Sequence, residues 1–259
     1  MTLSVIIITK NEEANIERCL SSVTWADEVI VVDSGSTDRT IEIARRFTSH
    51  VHEVGWHGFG PQKNLALSFA TGDCVLSLDA DEWVTDDLRA ALTEVVAADA
   101  TVSAWRMPRS STFCGRVIHH SGWSPDYVTR LFRRGPARFS DDLVHERLIV
   151  DGRMGTLRAA LLHESYRSLE QVLEKMNLYS TLSARDMQTR GRRASVISAL
   201  AKGAWAFLRT YVLRRGFLDG REGFLIALAT AESTFYRYMK LVYLAEGIPS
   251  DSPRPKGER

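Results

Sequence analysis

The sequence predicts an α/β protein, a mostly parallel sheet flanked by helices with a helical C-terminal region, on three observations. Apolar, β-branched runs alternate with amphipathic ones through the first hundred residues. Those apolar runs are nearly continuous, as strands covered on both faces are. From residue 168 onward the apolar spacing becomes helical.

Leu3 to Thr9 (LSVIIIT) reads as the first strand. Asn11 is then expected to cap a helix with Glu12 and Glu13 in its first turn, since Ile16, Cys19, Leu20 and Val23 recur at helical spacing. Glu28 to Val32 gives a second strand, DSGST a turn, Thr40 to Phe47 a second helix and VHEVG a short third strand. Pro61 suits the first position of a helix running to Ala70, which Thr71 and Gly72 end. Cys74 to Leu78 is a fourth strand, followed by a helix from about Thr85 to Ala98. Between 101 and 165 the strand-like pieces AWRMPR, YVTRLFRR and LLHESY are separated by Gly, Pro and Ser, which suggests loops shaping a pocket. Three helices follow, over 168–187, 194–214 and 221–246, and the tail SDSPRPKGER is expected to be disordered. No internal repeat is present.

A chain of 259 residues, 44% hydrophobic, holds enough apolar material for a sizeable core. Its net charge of +1 conceals an asymmetry: residues 1–150 carry 15 Lys and Arg against 21 Asp and Glu, whereas 151–259 carry 18 against 11. The two halves are therefore expected to face different partners. Cys19, Cys74 and Cys114 show no CxxC or ligand spacing and read as buried free thiols in a reducing compartment. The N-terminus lacks the basic segment and cleavage site of a secretory signal. No run reaches the roughly 18 uninterrupted apolar residues of a spanning helix, because Glu232 breaks the longest candidate, so the chain is expected to be soluble or to lie on a membrane surface.

The stretch LSLDADE carries the chemistry. Residues i and i+2 of a strand face the same way, so Asp79 and Asp81 share one small volume while Ala80 points away. Like charges so placed call for a cation or a proton, and hard oxygen ligands favour Mg²⁺ or Mn²⁺. Such an ion is held by one or two carboxylates together with substrate phosphates. Ligands of open α/β sheets bind beyond the C-terminal ends of strands, where this cluster falls. Solvated acids capping the next helix are the competing reading. Thr9, Lys10, Asn11 and Glu12 end the first strand, and Asp33, Ser34, Gly35 and Ser36 end the second. Asn11, and Ser36 or Thr37, read first as helix caps and Gly35 as a turn residue. Asp33 could accept a hydrogen bond from a nucleobase imide, and Lys63, unfavourable in a first helical turn, could answer a diphosphate.

VIIITKNEEANIERCL, VIVVDSGSTDRT, PQKNLAL and LSLDADE, in that order, resemble the family 2 glycosyltransferases of GT-A fold. FCGRVIHHSGWSPDYVTRLFRR, FSDDLVHERL and YVLRRGFLDGREGF resemble the narrower group of lipopolysaccharide core β-1,4-glucosyltransferases. The resemblance implies a nucleotide-sugar donor, UDP-glucose foremost, a divalent metal, and direct displacement with inversion. Carried over, it puts Thr9 and Glu12 around the nucleoside, Asp33 on the uracil and Lys63 near the phosphates. Asp81 would ligate the metal, and Asp79 would touch the ribose or a metal-bound water. The base is sought among Asp141, Asp142 and Glu146, with Asp142 first; the Glu-Asp pair of many family members is not reproduced. His145 is either a further metal or phosphate contact or a histidine bonded within its loop. His119, His120, Trp123, Asp126 and Tyr127 either line the acceptor pocket or belong to the core. On this reading residues 1–165 form the catalytic domain, with 1–100 the donor half and 101–165 the acceptor half. Residues 166–248 form a basic helical region, and 249–259 the tail.

Residues 190 to 221 interleave arginines with aromatic and aliphatic side chains, as a helix at an anionic membrane surface does. Packing against the catalytic domain or a second subunit is the alternative. Nucleic-acid binding is disfavoured, because the charges are diluted by apolar residues. With an acceptor anchored in the cytoplasmic leaflet, the expected place is peripheral, on the inner face of the cytoplasmic membrane. Two other functions stay open: the same fold with another nucleotide sugar or another lipid-linked or surface glycan, and a non-catalytic binding protein. Oligomeric state is not legible.

Overall fold

The computed structural model describes residues 1–98, 101–135, 137–140 and 147–248, which form two compact units. The first comprises Met1–Ser110 with Pro125–Glu164, the second Ser111–Ser124 with the chain from Ser165. In chain order the first unit begins β1 (Leu3–Thr9), α1 (Ile16–Ser21), β2 (Glu28–Asp33), α2 (Thr40–Ala44), β3 (Val51–Glu53) and α3 (Phe59–Phe69). β4 (Cys74–Asp79), β5 (Glu82–Val84) and α4 (Asp86–Ala97) follow. The end of β6 (Ala104–Phe113) and all of β7 (Arg116–Val117) pass into the second unit; β8 (Tyr127–Arg133), β9 (Ala137–Phe139), β10 (Leu148–Val150), β11 (Met154–Thr156) and most of β12 (Leu161–Tyr166) belong to the first.

The strands β3, β2, β1 and β4 lie side by side and parallel, with β8 antiparallel to β4 and β6 antiparallel to β8. All seven residues of β1 are buried, because both of its faces are covered. Val5, Ile7, Val31, Leu76 and Leu78 pack with Ile16, Cys19 and Leu20 of α1 and Leu88 and Leu92 of α4. Ile6, Ile8, Ile30, Val32 and Val75 pack instead with Ala66 of α3, Phe132 and Phe139. Alternating side chains thus feed two cores, which is why these strands carry no polar face. The register sets Thr9 beside Asp33 and Ile8 beside Asp79, so three C-terminal strand ends share one edge.

Four features depart from the sequence expectations. The first helix begins at Ile16, not after Asn11. Asn11 has φ 55° and bonds across to the neighbouring loop, accepting from the Thr37 amide at 2.8 Å while its own amide donates to Ser36 Oγ at 2.8 Å. The second helix stops at Ala44, three residues short of Phe47. The segment 111–124 groups with the helices, a boundary that a division at residue 165 does not contain. Finally, helical chain over Val196–Leu213 is long and apolar enough by length and composition to cross a membrane. Requiring an uninterrupted apolar run overlooked it, because Lys202 and Arg209 interrupt it without ending the helix.

In the second unit α5 (Leu169–Thr189) starts at a Ser168 side-chain cap, and α6 (Val196–Leu208) at a reciprocal Ser195–Ser198 capping box. A π-helical turn over Arg209–Leu213 and a 3₁₀ turn over Gly216–Asp219 lead into α7 (Gly220–Ala245). A Cβ on Gly203 would lie 3.2 Å from the Ala231 carbonyl oxygen, so the missing side chain lets α6 approach α7 closely. Asp219, 3% exposed, ties 111–124 to the helices: it accepts from the His119 and His120 amides at 3.0 Å each and from Ser121 Oγ at 2.9 Å. Phe113 and Ile118 pack there against Val172 and Ile226.

Burial disfavours the Asp219 carboxylate, but the His119 amide, the His120 ring and the Ser121 hydroxyl outweigh that and hold its pKa below the ordinary carboxylate value. A depressed folded-state pKa contributes stability above the unfolded value, near pH 4, that is lost as pH falls through the folded value. Asp219→Ala should therefore cost about 3 kcal/mol at neutral pH by orphaning buried donors. The deficit relative to wild type should shrink below about pH 4 in urea unfolding followed across pH.

Candidate active site

The three strand ends carry different groups with different partners. Asp33, fully buried at the end of β2, accepts from the Gly35 amide at 2.9 Å and the Ser36 amide at 2.7 Å, and its other oxygen takes the Ser36 hydroxyl. It thereby fixes the DSGS turn; Oδ1 is saturated by the two amides, and Oδ2 keeps a lone pair for a further donor. Ser34 accepts from Gln62 Nε2 at 2.9 Å. Among the described residues Thr9 Oγ1 and Gln62 Oε1 are buried without a hydrogen-bond partner, unused polar capacity at the strand ends. Glu12 accepts from Asn15 Nδ2 at 2.7 Å, and its amide donates to Thr40 Oγ1 at 2.8 Å.

Around Asp79 the fold assembles a network of charges. α3 begins at Phe59, two residues before Pro61, so Lys63, 2% exposed, falls in its second turn and not its first, and places Nζ 2.9 Å from Asp79 Oδ1. Arg130 of β8 bonds the other Asp79 oxygen and reaches Glu82 Oε1 at 2.6 Å. Glu82, fully buried, also accepts from the Asp79 amide at 3.1 Å, which folds the DADE turn back on itself. Arg109 joins Glu82 at 3.3 Å to Asp126 at 2.8 Å. Beneath the turn the Cys19 thiol donates to the Asp79 carbonyl at 3.7 Å. Burial alone would raise the Asp79 pKa; Arg130 and Lys63 outweigh it and drive it well below the carboxylate range. The same carboxylates hold the Arg130 guanidinium firmly protonated.

Asp81 stands apart from this network. Its backbone oxygen accepts from the Glu164 amide at 3.0 Å, and its side chain has His163 Nε2 of β12 at 3.4 Å from Oδ2. Among the described residues no Lys or Arg pairs with it. No three His, Cys, Asp or Glu side chains among the described residues converge as a metal cage. A divalent ion held largely by phosphate oxygens needs no such cage, and Asp81 with His163 beside it fits that need, whereas each oxygen of Asp79 already meets a protein cation and keeps one lone pair.

Other residues singled out from the sequence scatter. His119, His120 and Trp123 belong to the second unit. The two histidines serve Asp219, with His120 Nδ1 at 3.2 Å, and Trp123 packs with Phe113 and Tyr166. Asp126 and Tyr127 belong to the first unit, where Asp126 is paired with Arg109 and Tyr127 lies exposed with the Arg106 guanidinium 5.3 Å from its ring centre. Asp141, Asp142, His145 and Glu146 lie outside the described residues, as does the tail 249–259. Sequence reasoning missed Arg130, Arg109 and His163 and left Glu82 without a role. The one signal in the sequence is polarity inside strand-like pieces, an arginine in YVTRLF and a histidine in LLHESY.

A mostly parallel α/β sheet with acids gathered beyond its strand ends is the arrangement that a GT-A glycosyltransferase presents, and the family match assigns the chain to that class. The chain belongs to glycosyl transferase family 2, whose model matches residues 4–160. It is 30% identical over 257 residues to the lipopolysaccharide core biosynthesis glycosyltransferase LpsC of Rhizobium meliloti, covering 92% of this chain and 93% of that one. It is 32% identical over 255 residues to an uncharacterized glycosyltransferase of Rickettsia bellii, covering 92% and 85%. Among solved structures, Staphylococcus aureus TarS 1–349 in complex with UDP-GlcNAc superimposes with a TM-score of 0.48 at 18% identity, covering 100% of this chain and 95% of that one.

Removing Arg130 would leave Asp79 and the fully buried Glu82 short of a cation. Arg130→Met is expected to destabilise the protein by about 3–5 kcal/mol in denaturant unfolding. Arg130→Lys, which keeps the charge but not the fork, should fall between it and wild type.

Proposed function

We propose that this chain transfers glucose from UDP-glucose to an inner-core heptose of lipopolysaccharide, with inversion at the anomeric carbon, at the inner face of the cytoplasmic membrane. The observation that carries the acceptor class is the similarity to LpsC, which runs through the helical region as well as the catalytic one. The donor site is supported by the three strand ends: Asp33 and the unused Thr9 hydroxyl for the nucleoside, and Asp79 and Asp81 for the diphosphate end.

Asp79, Lys63 and Arg130 divide the work with Asp81. Lys63 and Arg130 keep Asp79 ionised and immobile, so it acts as a fixed acceptor for a donor hydroxyl. Asp81, unpaired by Lys or Arg, is the residue that would hold Mg²⁺ or Mn²⁺, with His163 at its side. When bound, that ion supplies electrostatic stabilisation of the charge gathering on the leaving β-phosphate. In the displacement the acceptor oxygen bonds to the anomeric carbon as the bond from that carbon to the β-phosphate oxygen breaks. The acceptor hydroxyl proton passes to a carboxylate, for which Asp142 is preferred over Asp141 and Glu146 on family resemblance.

UDP release is the measurement. UDP-glucose with lipopolysaccharide core acceptors and Mg²⁺ or Mn²⁺ should give acceptor-dependent release that a chelator abolishes. Asp81→Asn should lower turnover by about 10²–10³-fold in a folded protein. Asp142→Asn should lower turnover comparably, and Asp141→Asn should not. Release from a different nucleotide sugar, or onto a different lipid-linked glycan, would replace the glucose and heptose assignment. No release from any donor would favour a binding protein.

A further inference from the structure

α6 has two unlike faces. Ala199, Gly203 and Ala206 are buried, and Gly203 lies close to α7. The opposite side exposes Ile197, Leu200, Trp205 and Leu208, and the exposed apolar run goes on through Leu213 of the π-helical turn and Phe217 of the 3₁₀ turn. Ile197 is 80% exposed and Trp205 55%, values that a chain surrounded only by water gains nothing from. The charge around this face has one sign. Residues 190–218 contain seven Lys and Arg and no Asp or Glu. Among the described residues Arg192, Arg193, Arg209, Arg214 and Arg215 have no carboxylate partner, unlike Arg190 and Arg221, which pair with Asp186 and Glu222.

An apolar face bearing an exposed tryptophan and edged with uncompensated arginines matches a layer that is apolar within and anionic at its rim. We propose that this face seats the chain on an anionic lipid bilayer, with α6 lying along the headgroup plane. Lys202 and Arg209 argue against a spanning arrangement, since a helix over Val196–Leu213 would carry both charges through the hydrocarbon. Lys202 instead rests its Nζ 5.0 Å from the Tyr238 ring centre. A second copy of the chain would cover the apolar residues but would bring the like-charged arginines together. The proposal refines the glycosyltransferase reading by naming the surface on which a lipid-anchored acceptor would be met.

The full chain, without donor or acceptor, is to be sedimented with phosphatidylglycerol–phosphatidylethanolamine vesicles and with phosphatidylcholine vesicles at low and high salt. It should bind the anionic vesicles at low salt, release as salt rises, and leave phosphatidylcholine largely unbound. Ile197→Ser/Leu200→Ser/Trp205→Ser should weaken binding by at least about tenfold. Arg192→Gln/Arg193→Gln/Arg209→Gln should weaken it by roughly fivefold per arginine. Both variants should keep the wild-type thermal midpoint, since every replaced side chain is exposed. No wild-type binding at low salt, or variants that bind as wild type does, would overturn the proposal. So would a dimer that the serine variant converts to a monomer, or resistance to alkaline carbonate extraction, which marks a spanning helix. Vesicle binding is independent of sugar transfer, so a failed donor assay leaves it standing and a failed sedimentation leaves the transferase reading standing.

Discussion

Lys63 and Arg130 have both been withdrawn from water to meet one carboxylate, that of Asp79, and the geometry of the site hangs on that convergence. Among the described residues the network extends through Glu82 and Arg109 to Asp126, three cations with three carboxylates. Its members come from the second turn of α3, the end of β4, β5, β6, β8 and the approach to β8, and no one element can shift without stranding a charge in another. Buried ion pairs contribute little net stability, because desolvation cancels most of the attraction. What this one supplies is position: the DADE turn is held from within by Glu82, and Asp81 is left outside with its carboxylate uncommitted to any Lys or Arg among the described residues.

Local pattern made the parallel core readable. Strands such as LSVIIIT are apolar at every position because both faces are covered, and their ends can be located where polarity returns. Asp33, Asp79 and Asp81 were visible for that reason. Arg130 was not, since its partners lie 51 and 48 residues away and nothing in YVTRLFRR says which acids it will meet. Glu82 carries no sequence signal for a role and is fully buried. Asn11 offered the residue type of a helix cap but served a loop across the sheet edge, because its backbone took a left-handed conformation and the helix started four residues beyond Glu12.

The histidine pair of RVIHHSG shows the same limit at another scale. Nothing in the sequence says that the His119 and His120 amides will bond Asp219, about a hundred residues away, or that the tryptophan will complete an aromatic cluster. Residues 111–124 are held to the helices by a buried acid and by ring packing, neither of which leaves a periodic trace. The charge asymmetry was legible: seven of the fourteen arginines in 151–259 fall within 190–221, between the end of α5 and the start of α6 and from the π-helical turn after α6 to the start of α7.

The bond from the Arg214 amide to the Arg209 carbonyl spans five residues, so the turn between them holds one residue more than an α-helical turn would. One surplus residue rotates everything beyond it by roughly 100° about the helix axis. The turn thus works as a phase adjuster: Thr210 stays inward while Val212 and Leu213 come out beside the stripe begun by Ile197. Excising a single residue there would restore an unbroken α-helix and turn the arginines that follow toward a different quarter, changing the orientation of a surface without altering its composition.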